Sequence, residues 1–347
     1  MSGTPIPTDA RPEVRIGPTD VGRRVSVRRI EAAPDPATGR ASFRDAIGVL
    51  TSWNDQELIV VARDGSEVCI PANRLVAGKP VPRFPARRAP LPTAAPAELQ
   101  RIAARGWPAV EEQPLGDWRL RAAAGFTRRA NSVQTLGDPG LPLPEALDRV
   151  RRWYAERDLP AHVEVTEPGS PADLARALER LGGQAAATLF RTAPLAGPAR
   201  AGRPDAVERV RLSRTAGPGW LSVYRRSSGD PTMDEAAHRV LHGGPSVWFA
   251  SVPDPAGAVP LAIGRCVVDG AWAGFAAIEV RPEARRQGLA TALMGALAAR
   301  AAEEGAQGAY LQVEAENSGA RELYDGLGFT TSHTYHYVRL PQGQPSA

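Results

Sequence analysis

Two stretches too rich in proline for a helix or an interior strand to pass through them divide this 347-residue chain into three segments. Residues 80 to 98 carry Pro80, Pro82, Pro85, Pro90, Pro92 and Pro96, and residues 194 to 206 carry Pro194, Pro198 and Pro204 beside Gly197 and Gly202. Proline has no N–H to give and clashes with the preceding turn, so both stretches read as extended linkers. The segments they bound, 1–88, 97–195 and 207–340, are expected to be three domains, since the chain exceeds the usual size of one core. A hydrophobic content of 43% and a charged content of 23% are those of a globular protein.

The formal charge is +4, and Lys79 is the single lysine. No Lys/Arg run is interleaved with aromatics, so nucleic acid is not expected as a partner. Cys69 and Cys266 fall in separate expected strands with no metal-ligand spacing, which fits a reduced compartment and predicts no metal site. No apolar run reaches the roughly 18 residues of a membrane span, and no hydrophobic signal core follows Met1. The expectation is a cytoplasmic protein without membrane contact.

In the first segment, short runs alternate in period two: Val25–Ile30, Ala46–Leu50, Leu58–Ala62 and Glu67–Ile70. Turn residues at Asn54-Asp55 and Asp64-Gly65 separate them, so a small all-β barrel resembling SH3-like barrels is predicted. The second segment alternates helix and strand patterns. Helices are expected around Leu99–Ala103, from Pro144 through Trp153, and over Leu174–Leu181 ending at Gly182-Gly183. Strands are expected at Trp118–Ala122, His162–Val165 and Ala185–Thr192. This α/β layer has no Gly-rich phosphate loop. Its run Gly125–Ser132 is polar enough to line a pocket, although Arg129 and Asn131 are read first as turn and strand-edge residues.

The third segment reads as a strand (Val207–Leu212), helices (Gly219–Arg225 and Met233–Leu241) and strands (Val247–Val252, Leu261–Val268, Ala271–Val280), with Asp269-Gly270 as a hairpin. A helix (Gln287–Glu303), a strand (Gly308–Val313), a short helix (Ser318–Gly326) and a strand near Tyr335–Leu340 follow. One mixed sheet with helices on its faces is the economical assembly.

Between the strand ending at Val280 and a helix bearing Leu289, Leu293 and Leu297 on one face lies Arg285-Arg286-Gln287-Gly288-Leu289-Ala290. Free main-chain N–H groups at a helix start carry partial positive charge and suit a pyrophosphate. Gly288 and Ala290 leave the backbone open to approach. The string alone is weak, but a second element follows it. Asn317 is able to cap a helix, Tyr324 stands two turns on, and Gly328-Phe329 returns the chain to the sheet.

Together the runs Ile278–Ala290 and Asn317–Phe329 resemble the acetyl-CoA motif pair of the GNAT superfamily, and the likeness extends loosely over 207–340. The order of elements in 97–195 is similar to a degenerate copy of the same domain, so a tandem arrangement is expected. The resemblance implies that the strand ending at Val280 splays from the next one, and that pantetheine fills the gap by bonding to the main chain near Ile278 to Val280. It further implies a pyrophosphate cradled by Arg285, Arg286, Gln287, Gly288, Leu289, Ala290 and Thr291, with Asn317 against the cofactor and the Tyr324 hydroxyl near the sulfur.

Acyl transfer to an amine needs a proton taken from the amine and one given to the departing thiolate. Tyr324 is the candidate donor. Glu279 is the candidate base, although strand alternation leaves its direction open. Related enzymes often place a Glu in the strand before the Asn motif, where this chain has Gln312; Glu314 or a water is the alternative. Trp220, Tyr224, His242, Tyr335 and His336 are the large polar-capable residues near the expected acceptor side. The function expected is an N-acetyltransferase acting from acetyl-CoA on a small-molecule or peptide amine. A catalytically weak CoA-responsive regulator is the alternative, and a dinucleotide-binding dehydrogenase lacks the required glycine spacing. Because every cofactor element follows residue 200, a fragment beginning there is expected to keep CoA binding.

Overall fold

The computed structural model describes residues 14–31, 41–62, 66–81, 91–180, 186–224 and 229–341. Asp64-Gly65, Gly182-Gly183, Ala185, Arg225 and residues 82–90 of the 80 to 98 linker lie outside the described residues. The chain forms two compact units, Met1–Arg87 and Arg88–Ala347.

The first unit is an antiparallel sheet of β1 (Arg24–Ile30), β2 (Phe43–Trp53), β3 (Glu57–Ala62), β4 (Glu67–Pro71) and β5 (Leu75–Pro80), in the order β4-β3-β2-β1-β5. Alternate residues Val25, Val27, Leu50, Leu58, Val60 and Ile70 point to one core, which is the period-two pattern of the sequence made physical. The sequence pattern misses β5, which a 3-10 turn at Ala72–Arg74 sets off from β4.

The second unit opens with α1 (Pro96–Gly106), β6 (Glu111–Leu115), β7 (Trp118–Ala122), β8 (Val133–Gln134), α2 (Leu143–Ala155), β9 (His162–Glu167), α3 (Ala172–Glu179) and β10 (Thr188–Pro194). It continues through α4 (Ala196–Ala199), α5 (Pro204–Glu208), β11 (Arg211–Ser213), α6 (Pro218–Val223), α7 (Pro231–His242), β12 (Ser246–Val252), β13 (Ala262–Asp269) and β14 (Trp272–Val280). It ends with α8 (Leu289–Glu303), β15 (Gly308–Glu314), α9 (Ser318–Gly326) and β16 (Thr330–Arg339).

All eleven strands of this unit form one sheet, ordered β11-β12-β13-β14-β15-β10-β16-β9-β8-β7-β6. The order is nearly palindromic. β8 runs parallel to β9 as β14 runs parallel to β15, so residues 97–195 repeat the plan of the residues after them. The closing strands are exchanged: β10 lies antiparallel to β15, and β16 lies antiparallel to β9. The boundary expected between 195 and 207 therefore separates no sheets and no compact units.

The stretch 194–206 is not an extended linker either. Pro204 stands at the first position of α5, where a missing N–H costs nothing. The segment packs on α8 so closely that a Cβ on Gly295 would sit 2.3 Å from the Ala201 carbonyl oxygen. This covering explains why α8, expected to bury one face, also buries Ala292, Met294, Ala296 and Ala298. It also replaces most of the strand expected over Val207–Leu212 with a helical turn and the short β11.

Across the centre of the sheet α1 supplies Leu99, Ile102 and Ala103 to a cluster with Phe190, Trp272 and Tyr310. Phe190 stacks on Tyr310 at 5.4 Å and on His333 at 4.5 Å. His333 is buried, and its Nε2 has no hydrogen-bond partner among the described residues. Burial lowers its pKa from 6.5 to about 4. The unfolded chain thus takes up a proton first as pH falls, so stability held above about pH 6.5 is lost toward pH 4, on the order of 2 kcal/mol after allowance for partial solvation. His333→Phe is expected to keep the stack and flatten this acid limb. Denaturant titrations at pH 7 and pH 4.5 check it, and an unchanged pH slope removes the assignment.

Candidate active site

Strands β14 and β15 pair only from Trp272–Phe275 with Gly308–Leu311, although both run on. The parting has a local cause in a bulge: the β13 register slips between Ile263 and Arg265, opposite Ala277, whose φ is +52. A bulge of this kind turns the strand and breaks its ladder. The splay in the strand ending at Val280 thus begins after Phe275, which leaves Ile278 to Val280 beside the gap.

Two clefts meet at this gap. One, of about 720 Å³, is lined by Ile278, Glu279, Val280, Arg285, Arg286, Gly288, Leu289, Ala290, Thr291, Asn317 and Tyr324, among others. The other, of about 340 Å³, includes Trp107, Thr127, Arg128, Arg129, Thr188, Tyr224, Glu279, Gln312, Glu314, Asn317, Tyr324, Tyr335 and Tyr337. Ile278, Glu279, Asn317, Ala320 and Tyr324 belong to both. Of the residues expected to hold the cofactor or act in catalysis, Tyr324 and Glu279 included, all except Gln287 thus line the larger cleft, and Glu279 lines both.

At the start of α8 the first helical bond runs from the Ala292 N–H to the Gly288 carbonyl, 3.0 Å. The N–H groups of Leu289, Ala290 and Thr291 precede it and have no partner in the helix. Gly288 is the N-cap at φ +76, and Arg286 just before it has φ +62. A Cβ built on Gly288 meets nothing within 4 Å. Its glycine is thus required by backbone conformation and by room for a visitor, with no protein atom pressing on it. Three free donors, two arginines and open space over the glycine are what a pyrophosphate needs.

Helix α9 is set by Asn317, whose Oδ1 accepts from the Ala320 N–H at 3.1 Å. Its far end is braced from β10: the Arg191 guanidinium donates to the Asp325 carboxylate, to the Phe329 carbonyl and, at 3.3 Å, to the Arg321 carbonyl. Tyr324 meets Phe329 edge to face at 5.9 Å. Burial raises its hydroxyl to about 12, so the group holds its proton throughout the neutral range.

Gln312, which stands where related enzymes often have an acid, lies in the smaller cleft with Nε2 3.5 Å from Gln100 Oε1. Among the large residues named for the acceptor side, Tyr224 and Tyr335 line that cleft. Trp220 instead gives its indole N–H to the Ala250 and Gly264 carbonyls, and His242 accepts from the Ala216 N–H. Trp107 and Tyr337 were not legible as cleft residues, because they arrive from α1 and from the exchanged β16. Among the described residues no group of three metal-binding side chains occurs, and no helix is long and apolar enough to cross a membrane.

A mixed sheet parted beside a parallel pair, with a donor-lined helix start in the gap, defines the GNAT class of fold. A GCN5-related N-acetyltransferase from Kribbella flavida matches it with TM-score 0.51 at 16% identity, over 72% of this chain and 96% of its own. A tandem GNAT protein from the clavulanic acid biosynthesis pathway matches with TM-score 0.52 at 14% identity, over 74% and 92%. In sequence, the uncharacterized N-acetyltransferase YobR of Bacillus subtilis is 28% identical over 69% of this chain and 96% of its own length. The probable histone acetyltransferase Rv0428c of Mycobacterium tuberculosis is 28% identical over 92% and 95%. Residues 6–89 match a domain family of unknown function, DUF6725. Residues 93–338 match the family described as probable histone acetyltransferase Rv0428c C-terminal; the chain belongs to this family, and with it to the GNAT superfamily of acyl-CoA-dependent N-acetyltransferases.

Proposed function

We propose that the protein transfers an acetyl group from acetyl-CoA directly to an amine held in the smaller cleft. The observation that carries this reading is the gap between β14 and β15, where the two clefts share Glu279, Asn317 and Tyr324. The residues fit the group they would hold: the N–H groups of Leu289 to Thr291 and the side chains of Arg285 and Arg286 for the pyrophosphate, and the open main chain of Ile278 to Val280 for the pantetheine arm. Acetyl-CoA supplies an activated thioester. The chain supplies orientation, a proton donor in Tyr324, and a carboxylate in Glu279 that takes up the amine proton directly or through water.

The test follows free CoA release from acetyl-CoA across amines and peptides. Acceptor-dependent release supports the reading, whereas CoA binding with no release from any acceptor moves the protein to the regulatory alternative. The phosphate cradle has its own test in Gly288→Glu. The added carboxylate opposes the phosphates, and φ +76 strains any side chain. CoA binding is expected to weaken by about 2 to 4 kcal/mol, the scale of lost charge-assisted hydrogen bonds. Calorimetry on the folded variant decides, and near-wild-type affinity contradicts the cradle.

No equivalent cradle is expected at the start of α2. Pro142 and Pro144 flank Leu143 there and lack N–H groups, and Glu145 puts negative charge in the first turn.

A further inference from the structure

The smaller cleft is electrically two-ended. Glu279 and Glu314 enter it from the splayed strands, and Arg128 and Arg129 enter it from the loop between β7 and β8. In the second half the equivalent connection is the tight hairpin at Asp269-Gly270. Here the chain instead makes a long excursion with Ala124 at φ +46, Gly125 at +82 and Thr127 at +55. Left-handed conformations at Ala and Thr are costly unless the surroundings impose them. They are imposed by the buried Asn131, whose Oδ1 accepts from the Ala123 and Gly125 N–H groups and whose Nδ2 donates to the Phe126 and Thr127 carbonyls, all at 2.9 Å. Trp107 Nε1 donates to Thr127 Oγ1 at 3.0 Å and fixes the loop from outside.

The loop thus holds Arg129 in place without satisfying it. Its guanidinium lies 5.3 Å from the Trp107 ring centroid and makes no hydrogen bond or ion pair among the described residues. Glu164, the carboxylate in its field, is already held by Arg121 at 2.9 Å, with both side chains buried. Arg265, at 5.1 Å from the same indole, is likewise buried, but it donates to the Leu241 and Gly243 carbonyls at 2.6 and 2.8 Å. Arg128, over the Tyr337 ring at 5.6 Å, is exposed, whereas Arg129 is the half-buried cation at this end with donors to spare, and a guanidinium matches a carboxylate in two-point geometry.

We propose that the acceptor is a small amine that also carries a carboxylate, an amino-acid-like molecule whose carboxylate is bound by Arg129 while its amine lies at the Glu279 and Tyr324 end. This rests on the acetyltransferase reading above and adds the substrate class. A volume of about 340 Å³ suits such a molecule, and the two guanidiniums disfavour a polybasic chain at that end. The first half, without a cradle of its own, becomes the part that selects the acceptor.

The experiment uses the full chain and a paired panel: glycine, β-alanine, γ-aminobutyrate, phenylalanine and glutamate, each beside its carboxamide, with CoA release measured. Carboxylates are expected to be acetylated in preference to their amides. Arg129→Gln is expected to raise KM for the favoured acid roughly 10- to 100-fold with little change in kcat, the scale of one charge-assisted contact, and to leave its amide unaffected. Arg129→Lys should recover part of the loss. Calorimetry of the favoured acid on CoA-saturated protein should show the same ranking without turnover, and CoA affinity should not move. Equal use of acids and amides, equal loss on both in Arg129→Gln, or an effect on CoA affinity instead overturns the proposal. So does a panel with no turnover on protein that binds CoA and acetylates other amines. Failure to bind CoA at all tells against the acetyltransferase reading itself.

Discussion

A fragment beginning near residue 200 is expected to lose its cooperative fold, and with it the proposed CoA site, although every residue of that site would be present. β10 belongs to the first half yet lies between β15 and β16. Its removal leaves β15 with no antiparallel partner and strips Phe190 from between Tyr310 and His333. Loss of one fully buried Phe side chain costs about 3 to 5 kcal/mol, against a total stability of about 5 to 15 kcal/mol for a domain. Leu99, Ile102 and Ala103 go with it, while Val338 and Leu340 lose the first-half core into which they pack. Arg191 also no longer braces α9, so even a collapsed fragment would hold Asn317 and Tyr324 loosely. A chain beginning near residue 91 keeps the whole second unit and is expected to melt cooperatively and bind CoA. Circular dichroism, thermal denaturation and calorimetry on the two fragments check this, and a cooperative melt with CoA affinity in the shorter one would refute it.

What the sequence made legible was local. The phosphate loop announces itself because a glycine, small residues and arginines must stand at fixed offsets from a helix start, and the Asn317 cap and Tyr324 are spaced by the helix that carries both. The strands of the first unit show because alternate residues enter one core. The exchange of β10 and β16 leaves no such mark, since an antiparallel neighbour from either half satisfies the same alternation. Prolines at 198 and 204 pointed to a linker, but proline at a helix start is as much at home as in an extended chain. The bulge at Ala277 was hidden as well, because glycine is the residue that usually betrays a left-handed turn.

The same limit hid half of the candidate site. Glu279 could not be aimed from alternation alone, because the bulge two residues earlier resets which face it joins. Asn131 and Arg129 were legible as polar residues of one loop, with turn and pocket roles open to either. Asn131 takes the turn role with four hydrogen bonds to the loop backbone. Arg129 lines the cleft. Trp107, which separates this loop from Arg265, comes from the end of a helix more than a hundred residues before the motif pair.

Tyr324→Phe is expected to lower turnover by about 10²-fold to 10⁴-fold, the range for loss of a positioned proton donor, while CoA affinity changes little. The phenyl ring keeps the edge-to-face contact with Phe329 at 5.9 Å, so the change removes the hydroxyl alone. Burial has raised that hydroxyl from 10 to about 12. Its acid form is therefore complete at neutral pH and is lost only as pH rises toward 12, so the wild-type profile should show no descending limb from Tyr324 below about pH 10. The variant should keep the same profile shape at a lower height, because the ascending limb belongs to deprotonation of the amine. A thiolate of pKa about 8.5 departs tolerably well without help, which places the expected loss toward the lower end of the range. Single-turnover rates with an established acceptor, across pH 6 to 10, separate chemistry from product release. A variant that matches the wild-type rate in that regime makes Tyr324 a packing residue and leaves the departing sulfur to take its proton from water.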